Sequence, residues 1–317
     1  MAPEATARDP TINVISSAAL KLRPTMSTPR FLQFTVVPRP TTYQSPETGY
    51  VPQSSDASQN TQVAYSTLDV QGVKCRFTGR TKKRKGFWLM GKAIEDGRLL
   101  AIGDVHGCAR ALHTLLEDVD PRSGDVVVFL GDLVDRGPDS RAVLDQVQAL
   151  REVCTVVLVL GNHEEMMLTG LREGPQPEWL VWGGRETVSS YGGDLGGVPA
   201  SHRQLLESGV DFFETPSVIC VHANLEPSVA LVDQQPEWLR WMHLTGDERP
   251  HHSNRRIVCG HTPQRHGLPL LRSGWLCIDT MCWAGGFLTC VDLKSDEVWQ
   301  TQESGVVRSG LTLSELV

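Results

Sequence analysis

An α/β fold, two packed mixed β-sheets flanked by helices, follows from three observations on the 317-residue sequence. From Arg98 onward, short apolar runs of strand length alternate with amphipathic stretches of helical length. Each of the first three runs ends in a polar cluster led by glycine: Gly103-Asp104-Val105-His106-Gly107, Gly131-Asp132-Leu133-Val134-Asp135-Arg136-Gly137, and Gly161-Asn162-His163-Glu164. Asp104 to Asp132 is 28 residues and Asp132 to Asn162 is 30, the length of a strand–helix–strand unit.

The elements follow in chain order. Leu99 to Ile102, Val126 to Leu130 and Val153 to Leu160 read as buried parallel strands. Cys108 to Asp118 and Ser140 to Arg151 carry apolar residues three and four apart and read as the intervening helices. A helix-rich middle spans roughly His163 to Glu207. Strands are then expected at Val218 to Val221, Ile257 to Cys259, Trp275 to Ile278, Gly286 to Asp292 and Glu297 to Thr301. This places a catalytic domain over 98–302, with 303–317 as a C-terminal tail.

The N-terminal part differs in texture. The first 60 residues hold eight of the nineteen prolines and no sustained period, so residues 1–90 are expected to be disordered or weakly structured. The Lys82-Lys83-Arg84-Lys85 run reads as a solvated charge run, with a nucleic-acid or membrane contact as the alternative, and the basic N-terminal tail as a whole has recruitment of a partner or folding back on the active site as other uses. A transit peptide is a minor alternative, as is initiation at Met90. Residues 1–97 carry 13 Lys/Arg against 7 Asp/Glu, whereas 98–317 carry 17 against 30. The acidic part is a poor general nucleic-acid binder. All ten histidines also lie there, so the chemistry is sought there. No apolar run approaches the length of a membrane-spanning helix.

Eight cysteines without a CxxC pair or a secretory signal argue against a disulfide framework or a thiolate zinc site, and point to a reducing cytoplasm. Cys154, Cys220, Cys259, Cys277 and Cys290 sit in apolar runs and read as buried small hydrophobes.

In open α/β sheets ligands bind beyond the carboxyl ends of the strands, so the three clusters are expected to share one sheet edge. Carboxylates, imidazole and a carboxamide form a mixed oxygen and nitrogen set suited to first-row divalent metals. Asp104, Asp132, Asp135 and Glu164 crowded together without cations raise one another's pKa values, and a metal removes that cost. Two later histidines also follow strands: His222 in Cys220-Val221-His222-Ala223 and His261 in Cys259-Gly260-His261-Thr262-Pro263.

The five blocks in this order, GDVHG, GDLVDRG, GNHE, VHA and GHTP, resemble the metallophosphoesterase superfamily over about Arg98 to Thr301. Within it the phosphoprotein-phosphatase group, with bacterial and phage serine/threonine phosphatases, is the nearest likeness. The resemblance implies a calcineurin-like fold and two divalent cations, with Mn²⁺ expected and Fe or Zn as alternatives. One would be held by Asp104, His106 and bridging Asp132, the other by Asp132, Asn162, His222 and His261. Such centres lower the pKa of a bound water enough for in-line attack on phosphorus near neutral pH. His163 resembles the family's general acid, with Asp135 orienting it and Arg136 forking onto phosphate oxygens. Trp238-Leu239-Arg240 resembles the family's Trp-x-Arg, which makes Arg240 a second candidate clamp.

The chain departs from the family pattern at Trp182-Gly183-Gly184, at Asn224 after His-Ala, and at Met281 where glycine is common. None of these removes an implied ligand. The implied activity is hydrolysis of phosphoserine or phosphothreonine in a protein or peptide substrate, with no nucleic-acid or membrane partner and no indication of oligomeric state. The alternatives are a symmetrical diadenosine tetraphosphate hydrolase or other small-molecule phosphoesterase and, from another class, a non-catalytic phosphoprotein-binding module. The dinucleotide hydrolases commonly have alanine where Asp135 stands and aspartate where Glu164 stands. Met166-Met167 is read as core filler, and Trp179 and Trp182 as either core or groove wall.

Overall fold

The structure, a computed structural model, describes residues 97–316 in full and, before them, the backbone of three strands, β1 (Tyr65–Val70), β2 (Val73–Thr78) and β3 (Gly86–Leu89). The expectations for residues 1–64, for the Lys82-to-Lys85 run and for Met90 concern positions outside the described residues.

From residue 97 the chain alternates as the sequence pattern predicts. Strand β4 (Leu99–Ile102) leads to α1 (Ala109–Val119), β5 (Val126–Phe129) to α2 (Ser140–Leu150), and β6 (Thr155–Leu158) to α3 (Asn162–Glu173). The three strands pair in parallel, Leu99 opposite Val126 and Val126 opposite Thr155. Helix α2 starts at Asp139, whose carboxylate accepts the Ala142 amide at 2.9 Å and so caps one of the free N–H groups of the first turn. Helix α1 stops at Asp120, which turns left-handed at φ 47° and returns its amide to the Leu116 carbonyl.

The helix-rich middle is broken. After α3 come a helical turn at Pro177–Trp179, a π-turn at Leu180–Gly184, α4 (Arg185–Ser190) and α5 (Ala200–Glu207). The chain then forms β7 (Phe212–Glu214), β8 (Val218–Cys220), the short α6 (Pro236–Trp241), β9 (Arg256–Cys259), β10 (Leu270–Arg272) and β11 (Trp275–Cys277). It finishes with β12 (Leu288–Asp292), β13 (Glu297–Thr301), β14 (Val307–Thr312) and a last helical turn, α7 (Leu313–Leu316).

Two mixed sheets result. One has the order β14-β13-β12-β4-β5-β6, the other β1-β2-β3-β7-β8-β9-β11-β10. Side chains alternate across each strand, which sorts the apolar residues into layers. Leu99, Ala101, Val126 and Val128 face Phe213, Cys220, Val258 and Leu276 of the other sheet. Leu100, Ile102, Val127 and Phe129 face Leu112, Leu115, Val143 and Val147 of the helices. Fully burying side chains of this size contributes roughly 1.5–3 kcal/mol each. Cys154, Cys220 and Cys290 are buried in these layers, Cys259 and Cys277 in a third cluster with Val221 and Trp275, and all seven described cysteines are free.

Both ends of the catalytic domain need redrawing. Within the segment expected to be weakly structured, β3 pairs in parallel with β7 and carries β2 and β1 with it. Beyond residue 302, in the segment set apart as a tail, β14 pairs with β13 and Leu313 is 2% exposed. β3 is fixed by pairing with β7, far away in sequence, and β14 by pairing with β13 although residues 307–310 are exposed, and local periodicity records neither.

Candidate active site

Strands β4, β5 and β6 deliver Asp104 with His106, Asp132 with Asp135 and Arg136, and Asn162 with His163 to one edge of the first sheet. Strands β8 and β9 bring His222 and His261 from the second. Sharp turns make this possible. His106, Asp132, Asp135, Arg136, His261 and Met281 all have positive φ, between 44° and 74°. Such backbone is strained for non-glycine residues and concentrates at functional sites. Gly161 leaves the necessary room, since a Cβ there would stand 2.1 Å from Asp132 Oδ1.

The histidine rings are oriented by carbonyl oxygens. His222 Nδ1 donates to the Leu130 carbonyl at 2.7 Å, His106 Nδ1 to that of Val134 at 2.9 Å, and His261 Nε2 to that of Trp241 at 3.1 Å. A carbonyl only accepts, so each facing nitrogen carries the proton and the other ring nitrogen presents a lone pair to the site. His222 Nε2 then lies 3.2 Å from His261 Nδ1, 3.1 Å from Asn162 Oδ1 and 3.4 Å from Asp132 Oδ1.

This gathers acceptors with no donor among them, which is unfavourable unless a cation lies between. The residues therefore fit a divalent metal. The ligand atoms of Asp132, His222 and His261 lie within 4.8 Å of one another, as do those of His106, Asp132 and His163. Asp132 belongs to both groups. Asp104 stands outside both, its carboxylate accepting the His261 amide at 3.1 and 3.2 Å.

Burial and crowding shift the titrating groups toward neutrality. Burial pushes Asp132 up to about 8, against the pull of Arg136. Burial, then the charges of Asp279 and Asp132, holds Asp104 well above the usual carboxylate range. Burial lowers His106 and His222 well below the ordinary imidazole value, and burial with His243 lowers His261 to about 4. A bound cation would reverse this direction for the carboxylates, favouring their ionised form, and reinforce it for the imidazoles, which bind metal as neutral rings.

His163, a member of one of these groups, differs from His106, His222 and His261 in its hydrogen bonds. Its Nδ1 donates to Asp135 Oδ2 at 2.6 Å, while its Nε2 is buried with no hydrogen-bond partner. Asp135 is itself fixed, Oδ2 by Trp179 Nε1 at 2.7 Å and Oδ1 by the Thr187 hydroxyl at 2.6 Å. Arg136 reaches His106 Nε2 with Nη1 at 2.9 Å, and its guanidinium carbon lies 5.0 Å from the Trp283 ring centroid.

The structure adds residues that the motif reading did not assign. Glu164 accepts three backbone amides, from Asp132 and Leu133 at 2.7 Å each and from Gly161 at 2.9 Å. It therefore ties two of the glycine-led loops together. Asp279 is buried behind Asp104 and raised to about 6 by that burial. Its position after the apolar run of β11 was a fourth strand-end carboxylate signal. Arg240, the candidate second clamp, donates Nη1 to Glu165 Oε1 at 3.0 Å and pairs through Nη2 with Asp211. Contact with a phosphate would require its release from these carboxylates. Trp179 is core, at 1% exposure, whereas Trp182 is exposed on a groove wall, and Met167 is buried core.

The calcineurin-like phosphoesterase family profile matches residues 97–280, more than half of the chain, and the chain belongs to that family. It is 40% identical to the serine/threonine-protein phosphatase 1 of Salmonella typhimurium over 85 residues, 26% of this chain and 37% of that protein. It is also 40% identical to the symmetrical bis(5'-nucleosyl)-tetraphosphatase of Edwardsiella ictaluri over 114 residues, 30% of this chain and 40% of that protein. The Nitrosospira multiformis protein of the latter name matches at 27% identity over 271 residues, 64% of this chain and 95% of its own length. The chain thus spans two fifths or less of the first two relatives. A solved structure given as a candidate diadenosine tetraphosphatase shares the fold at TM-score 0.51 and 22% identity, covering 71% of this chain and 97% of its own. The chain accordingly carries the fold of that family and His/Asp groups able to hold metal ions.

Proposed function

We propose that this enzyme is a phosphoprotein phosphatase for phosphoserine and phosphothreonine. The observation that carries the reading is the buried His163–Asp135 pair, with the free Nε2 aimed into the site. A seryl or threonyl alkoxide is a strongly basic leaving group and needs a proton as it departs. The phosphate oxygen released when a dinucleoside polyphosphate is split is weakly basic and needs none. A carboxylate-oriented imidazole therefore suits the protein substrate.

In the reaction, the oxygen of water bonds to phosphorus while the ester P–O bond breaks, one hydrogen staying on the product phosphate and the other proton passing through solvent to restore the one His163 gives up. The electron pair of that bond stays on the seryl oxygen, which takes the proton from His163 Nε2. Asp135 stabilises the charged imidazolium and, with Trp179 and Thr187, fixes its orientation. Arg136 opposes the charge on the phosphoryl oxygens. Asp104, His106 and Asp132 would hold one divalent cation, and Asp132, Asn162, His222 and His261 a second, with Mn²⁺ the metal we favour. Such ions supply Lewis-acid stabilisation of the phosphoryl charge and acidify water near neutral pH. Free, buried cysteines support a reducing, cytoplasmic setting, and no helix of the described residues is long and apolar enough to cross a membrane.

A second reading, symmetrical dinucleoside tetraphosphate hydrolysis, is favoured by the names of two of the relatives above. The test is kcat/KM of the Mn²⁺-reloaded full chain on phosphoserine peptides, p-nitrophenyl phosphate and diadenosine tetraphosphate. Preferred turnover of the dinucleotide overturns the proposal. Asp135→Ala is expected to reduce phosphopeptide turnover by about 10²- to 10⁴-fold. It should affect p-nitrophenyl phosphate, whose leaving group is weakly basic, much less.

A further inference from the structure

Beside the metal centre lies an open groove of about 780 Å³. Arg136 forms part of its lining, so the groove is continuous with the phosphate site. One wall is the π-turn with the start of α4, including Val181, Trp182 and Arg185. The other includes Arg265 and Trp283.

The charge of this groove runs against that of the domain. Residues 98–317 carry 17 Lys/Arg against 30 Asp/Glu, yet the titratable groups lining the groove are Arg136, Arg185, Arg265 and the single carboxylate Glu186. The two outer arginines are also uncommitted. Arg98, Arg122, Arg240, Arg255 and Arg256 are each bound to a carboxylate. Among the described residues no such ion pair engages the exposed side chains of Arg185 or Arg265. Between them stand large apolar side chains open to solvent, Val181 at 75% exposure, Trp182 at 49% and Trp283 at 39%. A local cationic strip in an acidic surface attracts an anionic ligand, and the rings offer apolar area beside it.

We infer that this groove selects acidic phosphorylated segments, with Arg185 and Arg265 reading carboxylates that flank the scissile phosphoserine while Trp182 and Val181 pack an adjoining apolar side chain. The inference rests on the protein-phosphatase reading and names its substrate class.

The experiment compares kcat/KM of the full chain on phosphoserine peptides whose flanking positions are Asp, Ala or Lys, at low and high salt. The Asp-flanked peptide should lead the Ala-flanked one by roughly three- to tenfold at low salt, the scale of one or two exposed charge pairs, and the lead should shrink at high salt. Arg185→Gln and Arg265→Gln should bring the two peptides within about twofold of each other. The double reversal Arg185→Glu with Arg265→Glu should move the preference to the Lys-flanked peptide, an inversion that loss of structure cannot produce. Should the variants fail to fold, the salt dependence of the native chain decides. Equal use of the three peptides by the native chain overturns this inference and leaves the phosphatase reading standing. Hydrolysis of diadenosine tetraphosphate with no phosphopeptide turnover overturns both.

Discussion

Glu164 and His163 are neighbours in sequence with opposite duties. Glu164 turns inward and satisfies three amides of the glycine-led loops, while His163 keeps Nε2 buried without a hydrogen-bond partner. Glu164→Ala leaves three buried N–H groups without an acceptor, at about 1–3 kcal/mol each, so a Tm loss on the order of 10 °C is expected by scanning calorimetry. His163→Ala should instead retain the metals by elemental analysis and lose about 10²- to 10⁴-fold in kcat on phosphopeptides. Equal loss of metal and activity would mean that the residue is a ligand. The candidate ligands were legible because they stand at strand ends, Asp104, Asp132, Asn162 and His261 directly after a glycine. The role of Glu164 was not, since an acidic residue in such a cluster reads equally as a ligand or a staple until the amides it faces are seen. Arg240 shows the same limit, because its partners Glu165 and Asp211 come from distant segments.

Among the elements, β4 and β13 stand at their expected bounds, and α2 ends one residue short of expectation. Strong burial on one or both faces makes such segments readable. β14 was unreadable for a physical reason. Residues 307–310 are exposed, Gly310 has φ 69°, and the pairing with β13 shifts register between Val298 and Gln300. Leu313, just after it, is nevertheless buried against the inter-sheet core. Leu313→Asp should therefore destabilise the domain by about 2–5 kcal/mol in chemical denaturation, although it lies far from the catalytic centre in sequence. The π-turn was equally hidden, although Gly183 marks it. Its φ of 115° suits glycine, and a Cβ there would come within 2.6 Å of the Arg136 amide nitrogen. Gly183→Ala should displace Arg136 and lower kcat/KM on the order of 10- to 100-fold, with the Mn²⁺ content unchanged.

For the molecule as a whole, the site is a burden on the fold when metal is absent. Asp132 raised to about 8, Glu164 to about 7 and Asp279 to about 6 bind protons that the unfolded chain has already released near pH 4. Their contribution to stability is therefore lost as pH rises through those values. His261, lowered to about 4, acts in the opposite sense, but only up to the ordinary imidazole value near 6.5. Above about pH 6.5 the carboxylates act alone. The melting temperature of chelator-treated protein should fall between about pH 6.5 and 8, while that of Mn²⁺-reloaded protein stays nearly level. A rising Tm of the metal-free form across that window would contradict this account.

Arg136 has three attachments: its amide to the Gly183 carbonyl at 3.1 Å, its guanidinium to His106, and its charge over Trp283. One side chain thus belongs to the reacting centre and to the wall that greets a client. The rest of that wall stands on the π-turn, the start of α4 and loops outside the strands, whereas the candidate site stands at the strand ends. Changes in those segments should therefore reshape the groove without moving the candidate metal ligands, provided this single arginine keeps its place in both.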